Sequence, residues 1–120
     1  MTTILDETSL TILREAQEPG APDIVEETVA IFLADAERRI ELLRQAVATR
    51  DAAEVRRLGH AIRGACLVLG VTRLAQVCGV LEQLGAAGTL AEAPPALAGV
   101  EHEYLIARDA LRSAARRAGA

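Results

Sequence analysis

The chain has 120 residues, which is enough for one hydrophobic core and too few for two domains of ordinary size, so we expect a single domain over residues 1–120. Hydrophobic residues make up 51% of the chain and aromatic residues only 2%. This composition predicts a core of Leu, Val, Ile and Ala and favours helices. The formal net charge of −4 argues against non-specific binding of nucleic acid, which depends on excess positive charge.

The chain shows no sign of membrane insertion or export. Charged residues interrupt every apolar run before the roughly 20 residues that a membrane span needs, and residues 1–6 lack the basic and then apolar pattern of a signal peptide. Cys66 and Cys78 are the only two cysteines of the sequence. This indicates buried free thiols rather than a disulfide framework or a zinc site. We therefore expect no membrane association and a location in the reducing cytoplasm.

The first half of the chain predicts two helices. A short helix is expected from the N-cap Asp6 to about Gln17, where a Pro- and Gly-containing turn ends it. The second helix begins near Asp23 and has the most regular apolar spacing in the chain, in steps of three and four residues. These apolar positions are Val25, Val29, Phe32, Ala36, Ile40, Leu43 and Val47.

A third helix is predicted to begin after Asp51 and to end near Gly70. Asp51 with Glu54 three residues later resembles a capping box, and glycine is common just after a helix. The apolar stripe of this helix consists of Val55, Leu58, Ile62, Ala65 and Leu69. At about 100° per residue, His60 lies opposite the centre of the stripe and is predicted to face water.

The remaining sequence predicts two further helices and no strand. The fourth helix is expected from about Val71 to Gly85, and residues 85–95 are expected to form the longest loop. Pro94 and Pro95 suit the start of the last helix. We therefore predict an all-α fold, an antiparallel up-down-up-down four-helix bundle with the short first helix covering one end.

The residues around His60 in the sequence are of types that suit the handling of phosphate. Arg56 and Arg57 precede it, and Arg63 and Gly64 follow it by one helical turn. Guanidinium groups favour an incoming dianion, an unprotonated imidazole can accept a group covalently, and a glycine leaves open space beside the ring. From spacing alone, both a phosphate-handling histidine and a plain surface histidine remain possible.

Two further residues, Leu67 and His102, are also predicted to lie on the surface of their helices. Leu67 falls on the same outward side of the third helix as His60, which places an apolar side chain beside a cationic surface, as in a docking site. His102 lies between Glu101 and Glu103 on the last helix, and we interpret it as a solvated surface residue.

The segment His60–Gly64, with Gly70 six residues later and Leu81-Glu82 on the next helix, resembles the histidine-containing phosphotransfer (HPt) domain family. The family pattern is His-x-Leu-Lys-Gly, then a glycine, then Leu-Glu. The predicted second helix also resembles the helix that precedes the histidine helix in that family. The resemblance spans about residues 6–111, and its specific part covers residues 60–82.

The resemblance implies that His60 accepts a phosphoryl group from a receiver-domain aspartate and later passes it to another receiver. It also implies that Arg63 and Gly64 belong to the catalytic site, and that Glu82 holds the second nitrogen of the imidazole. Arg63 stands where the family usually has lysine, and Gly59 where it usually has alanine. A planar guanidinium and a compact ammonium are not equivalent at a phosphate site.

The implied partners are response-regulator receiver domains and a hybrid sensor kinase. We expect Arg56, Arg57, Leu67 and Gln83 to contribute to the partner-binding surface. No cofactor or metal is expected on this chain, and Mg²⁺ is expected on the receiver. The chain is expected to act as a monomer and to have no kinase activity of its own, since it contains no glycine-rich nucleotide loop.

Two alternatives stand beside this hypothesis. The chain could be a helical adaptor that binds a receiver or kinase without phosphotransfer, although the intact His60 and Gly64 count against that interpretation. A bundle that encloses a metal or cofactor is disfavoured, because both histidines are predicted to face outward on different helices.

Overall fold

The computed structural model describes residues 3–118 and contains five α-helices. They are α1 (Thr8–Ala16), α2 (Ile24–Ala48), α3 (Ala52–Leu69), α4 (Thr72–Ala87) and α5 (Ala93–Ala118), and a short 3₁₀ turn, Leu90–Glu92, precedes α5. Within residues 3–118 the structure has no strand, in agreement with the sequence-based expectation. The predicted end of the last helix at Gly119 lies outside the described residues.

The four long helices form the predicted bundle. Each of α2, α3 and α4 packs against the next helix, and α5 packs back against α2, which closes a ring around one core. The apolar positions predicted on α2 lie in this core, apart from Val47, which is half-buried. On α3, the predicted stripe is buried at Val55, Leu58, Ile62 and Leu69, whereas Ala65 is only half-buried and the adjacent Cys66 is fully buried in its place.

Aspartate side chains cap the first turns of α2 and α3, and the cap of α3 is the one that the sequence predicts. The carboxylate of Asp51 accepts the backbone N–H of Glu54 at 3.1 Å, and Asp23 accepts two backbone N–H groups in the same way at the start of α2. The capping box at Asp51 is only half formed. The carboxylate of Glu54 binds Arg57 on its own helix (2.6 and 2.9 Å), and the N–H of Asp51 donates to the carbonyl of Ala46.

The predicted end of α4 at Gly85 is wrong. The helix continues for two more residues and ends before Gly88, whose φ of 72° is the left-handed conformation that glycine favours. The predicted long loop over residues 85–95 is mostly helical, since α5 already begins at Ala93. The two prolines occupy the first turn of α5. Backbone N–H groups in a first turn have no acceptor within the helix, so the N–H that proline lacks is not needed there.

The short helix α1 covers one end of the bundle. It begins at Thr8, whose N–H donates to the carboxylate of Asp6 at 3.0 Å. The N–H of Asp6 donates to the carbonyl of Gly70 at the end of α3, and Arg117 of α5 pairs with Glu7 at 2.9 Å. These contacts place α1 across the end of the bundle at which α3 and α5 finish, as expected.

Helices α3 and α4 lie unusually close together, because glycine occupies two of their contact points. A Cβ atom at Gly59 would lie 2.9 Å from the backbone nitrogen of Glu82, and one at Gly85 would lie 2.5 Å from the backbone nitrogen of Arg56. Neither position has room for a side chain without a shift of backbone. This close approach brings the middle of α4 within reach of side chains on α3.

Candidate functional site

His60 lies in the middle of α3 with its side chain 68% exposed, as predicted from the helical spacing. Its Nδ1 atom lies 3.0 Å from Oε2 of Glu82 on α4. Within residues 3–117, Nε2 makes no hydrogen bond to the protein. The imidazole is therefore held from one side, and its other nitrogen is open to water.

Glu82 binds two groups of α3 at once. Oε2 contacts Nδ1 of His60, and Oε1 accepts Nε–H of Arg63 at 2.9 Å. The pKa of Glu82 lies below its ordinary value of 4.5. The main cause is the hydrogen bond to His60, and the hydrogen bond and positive charge of Arg63 lower it further. Glu82 is thus an ionised acceptor at neutral pH, so Nδ1 of His60 donates the hydrogen bond and, in the neutral imidazole, Nε2 carries the lone pair.

Gly64 leaves open space beside the ring. A Cβ atom built there would have no heavy atom within 4 Å, so nothing in the packing of the bundle requires glycine at this position. Its backbone is in ordinary helical conformation, so no special dihedral angle requires glycine either. The space is free for a group bound to His60 and for the molecule that delivers it.

The cations around His60 differ in what they bind. Arg57 is engaged by Glu54, and Arg63 is engaged by Glu82. Arg56 is exposed and has no hydrogen bond or ion pair in the described part of the chain. A shallow depression beside the imidazole is lined by Ala53, Arg56, Arg57, His60 and Glu82. The structure thus places Arg56 and Arg57 around the ring, whereas Arg63 binds Glu82 on α4.

An apolar groove continues from this site along the junction of α3 and α4. Its lining residues are Arg63, Leu67, Thr72, Ala75, Gln76, Gly79, Val80 and Gln83. Leu67 and Gln83, both predicted to contact a partner, lie in it. Val80, 51% exposed in this groove, was missed by the sequence analysis, as was Val68 on α3, 70% exposed. At about 100° per residue, Val68 and Val80 lie on the flanks of their helices and not opposite the apolar stripes, so the angular count that placed Leu67 outward does not mark them.

The other candidate residues lie apart from this site. His102 is exposed on α5, as expected for a surface residue. Cys66 and Cys78 are buried free thiols, and burial raises the pKa of Cys78 to about 12, so it is not ionised at neutral pH.

Neither a metal centre nor a membrane span is found in the described part of the chain. No three His, Cys, Asp or Glu side chains lie together there as a metal site would require. None of the described helices combines the length and the apolar character needed to cross a bilayer.

Solved structures of phosphotransfer proteins resemble this one over nearly its whole length. Histidine-containing phosphotransfer protein B (HptB) from Pseudomonas aeruginosa PAO1 is 28% identical, with a TM-score of 0.84 and coverage of 98% of each chain. MtHPt2 from Medicago truncatula is 20% identical, with a TM-score of 0.81, and the match covers 97% of this chain and 79% of that one. ZmHP2 from maize is 24% identical, with a TM-score of 0.82 and coverages of 97% and 85%.

The sequence itself matches the same family. The Hpt domain model matches residues 27–117, which include α3, α4 and the whole of the site around His60. Among curated proteins, none matches the chain. Since the family match covers most of the chain and the fold agrees with it, the chain belongs to the Hpt domain family and has a histidine phosphotransfer role in a phosphorelay.

Proposed function

We propose that His60 is the residue that carries the phosphoryl group. The observation that supports this assignment is the pairing of Nδ1 with an ionised Glu82, which leaves the lone pair of Nε2 exposed next to the open space at Gly64. His102, the other histidine of the chain, has exposure but no comparable partner among the described residues.

The reaction follows from this geometry. Nε2 of His60 attacks the phosphorus of an aspartyl phosphate on a receiver domain, a P–N bond forms, and the P–O bond to the aspartate breaks, which releases its carboxylate. The ring keeps the proton on Nδ1 and becomes positively charged, and the carboxylate of Glu82 stabilises that charge. A second receiver aspartate reverses these steps and takes the phosphoryl group away.

The partners that fit this role are response-regulator receiver domains and a hybrid sensor kinase. The reaction centre on this chain consists of nitrogen donors and a single carboxylate that is already engaged by two side chains. We therefore assign the Mg²⁺ of the reaction to the receiver and no cofactor to this chain.

We assign the receiver-binding surface to the side of the bundle formed by α3 and α4. Arg56 and Arg57 border the imidazole, and Leu67 and Gln83 line the apolar groove that continues from it. An apolar patch rimmed by charges, with the reactive atom near one end, suits a protein partner that must exclude water during transfer. Val80 in the groove extends the surface that the sequence alone predicts.

The experiment that tests this assignment mixes the purified chain with a receiver domain carrying radiolabelled aspartyl phosphate and Mg²⁺. We expect acid-labile label on the wild-type chain and none on His60→Gln. His102→Gln is the matched control and should accept label like the wild type. Label on His60→Gln would contradict the assignment, and receiver binding without any transfer of label would favour the adaptor interpretation.

We also propose that the chain works in the cytoplasm. Two thiols that remain unpaired suit a reducing compartment, in which disulfides rarely persist. Cell fractionation with antibody detection tests this location, and recovery of the chain in an exported or membrane fraction would contradict it.

A further inference from the structure

Arg63 is attached to Glu82 in a way that leaves most of its donors unused. Its only hydrogen bond within residues 3–117 runs from Nε to Oε1 of Glu82, at 2.9 Å. A guanidinium has five N–H donors in a fixed plane, so the four N–H groups on Nη1 and Nη2 have no acceptor in the described protein. The side chain is 41% exposed and lies one helical turn from His60.

Arginine can do here what lysine cannot. A lysine bound to Glu82 would place its single nitrogen on the carboxylate, and the cation would have no second point of attachment in a fixed direction. Nε of Arg63 can stay on Glu82 while the Nη groups bind phosphoryl oxygens, because the guanidinium plane separates the two sets of donors. Glu82 also orients the imidazole of His60, so one carboxylate positions both the ring and the cation.

Gly79 supports the same arrangement from α4. A Cβ atom built at Gly79 would lie 3.4 Å from Cδ of Arg63, so the aliphatic part of the arginine runs directly over this glycine. A larger side chain at position 79 would occupy the path by which Arg63 crosses from α3 to Glu82.

We propose that Arg63 and Glu82 form a coupled unit that holds the phosphoryl group on His60, with Glu82 anchoring Nε and the Nη groups binding the phosphoryl oxygens. This inference rests on the proposed role of His60. Arg63 then touches the transferred group, whereas Glu82 and Gly79 are positioning residues that act through the imidazole and the guanidinium. The unit compensates for the absence of the lysine that the HPt pattern has at this position.

The test uses phosphoramidate, a small-molecule donor that needs no partner protein. Nε2 of His60 attacks its phosphorus, a new P–N bond forms, and the original P–N bond breaks with release of ammonia. The loss of the phosphoryl group to water is then followed by ³¹P NMR in the wild type, Arg63→Lys, Glu82→Gln and the double variant. Gly79→Leu is included because it should displace Arg63 and leave every charge in place.

We expect Arg63→Lys to lose the phosphoryl group about tenfold faster, the loss that corresponds to one charge-assisted hydrogen bond. Gln has one acceptor oxygen and can hold only one of the two groups, so the Lys substitution should have little further effect in the Glu82→Gln background. Gly79→Leu should resemble Arg63→Lys. Equal lifetimes for Arg63→Lys and the wild type, or effects that multiply in the double variant, would overturn the coupling.

The same experiment separates the two proposals. If phosphoramidate labels His60 and a phosphorylated receiver does not, the relay role of His60 fails while the four lifetimes still decide the coupling of Arg63 and Glu82. If neither donor labels His60, its Nε2 is not reactive and both proposals fail. Circular dichroism of each variant confirms that the helices are retained.

Discussion

His60 and Arg63 lie one turn apart on α3 and bind the same carboxylate, at 3.0 and 2.9 Å. Each alone would be an exposed side chain on a helix surface with several rotamers of similar energy. Glu82, only 21% exposed, removes much of that freedom and also selects the tautomer that leaves Nε2 unprotonated. The reactive state of the imidazole is thus set by a residue on another helix.

The lowered pKa of Glu82 predicts how its contribution to stability depends on pH. Because the pKa in the folded protein lies below the ordinary 4.5, ionised Glu82 stabilises the fold fully above about pH 4.5, and this contribution is lost as the pH falls through the folded pKa. We expect the free energy of unfolding of the wild type to exceed that of Glu82→Gln at neutral pH and the difference to shrink in acid. Urea unfolding at a series of pH values measures it, and a difference independent of pH would contradict the prediction.

Gly64 allows function and stability to be separated. Gly64→Ala should raise the free energy of unfolding by about 1 kcal/mol, since alanine is the better helix former and the new methyl group meets nothing within 4 Å. The same methyl group reduces the space beside His60, so transfer from a phosphorylated receiver should slow. Urea unfolding and the rate of label transfer give the two readouts.

Gly99→Ala on α5 is the matched control for this substitution, because a Cβ atom there also has no neighbour within 4 Å. It should be stabilised to a similar degree and should accept label at the wild-type rate. Unchanged transfer in Gly64→Ala would show that the open space at Gly64 has no role in the reaction.

Two helices, α3 and α4, carry the whole site, and the distance between them decides its geometry. Gly59 lies one residue before His60 and directly against the backbone of Glu82, and Gly85 performs the same function one turn further along α4. Gly59 therefore serves helix packing, although within a single helix it only reduces stability.

Gly59→Ala should destabilise the protein by about 1–3 kcal/mol, because the added Cβ would lie 2.9 Å from the backbone nitrogen of Glu82 and 3.0 Å from the carbonyl oxygen of Cys78. The two helices must separate, which should also lengthen the contact between His60 and Glu82 and slow phosphotransfer. Urea unfolding measures the loss, with Gly99→Ala as the control that gains stability. A stabilised Gly59→Ala variant would show that the helices adjust without cost.

At the scale of the whole molecule, the ring of four helices presents two different faces. The α3–α4 face carries His60 and the apolar groove with Leu67, whereas the α2–α5 face, on the opposite side, carries Leu105 in a groove bordered by charged residues. Leu67 and Leu105 are similarly exposed, at 56% and 49%. Their positions relative to His60 therefore distinguish them more than their burial does.

Leu67→Asp should weaken the binding of a receiver domain about tenfold, since it places a charge in the apolar part of the proposed interface. Its stability should change by no more than about 0.5 kcal/mol, because the side chain is exposed, and labelling by phosphoramidate should be unchanged. Isothermal titration calorimetry with the receiver measures the affinity. Leu105→Asp is the matched control, and an equal loss in that variant would argue against docking on the α3–α4 face.

The local features of the chain could be predicted because they depend on residues near each other in sequence. The cap at Asp51, the C-terminal glycine Gly70 and the exposure of His60 all follow from helical periodicity and capping chemistry. The end of α4 could not be predicted in this way. Glycine is common at helix ends, which is why Gly85 was predicted to end α4. In the structure, Gly85 lies inside the helix and lets the backbone of α3 come close to α4.

The sequence by itself determined the helical segments outside residues 85–95, which of their faces are apolar, and that a histidine, an arginine and an open glycine share one outward surface. Only the tertiary structure decided that Glu82, 22 residues away along the chain, binds both His60 and Arg63. Helical periodicity determines the direction of a side chain around its own axis. The distance between two axes depends on the packing of small residues at their contact, here Gly59 and Gly85, and that distance sets the hydrogen bonds of the site.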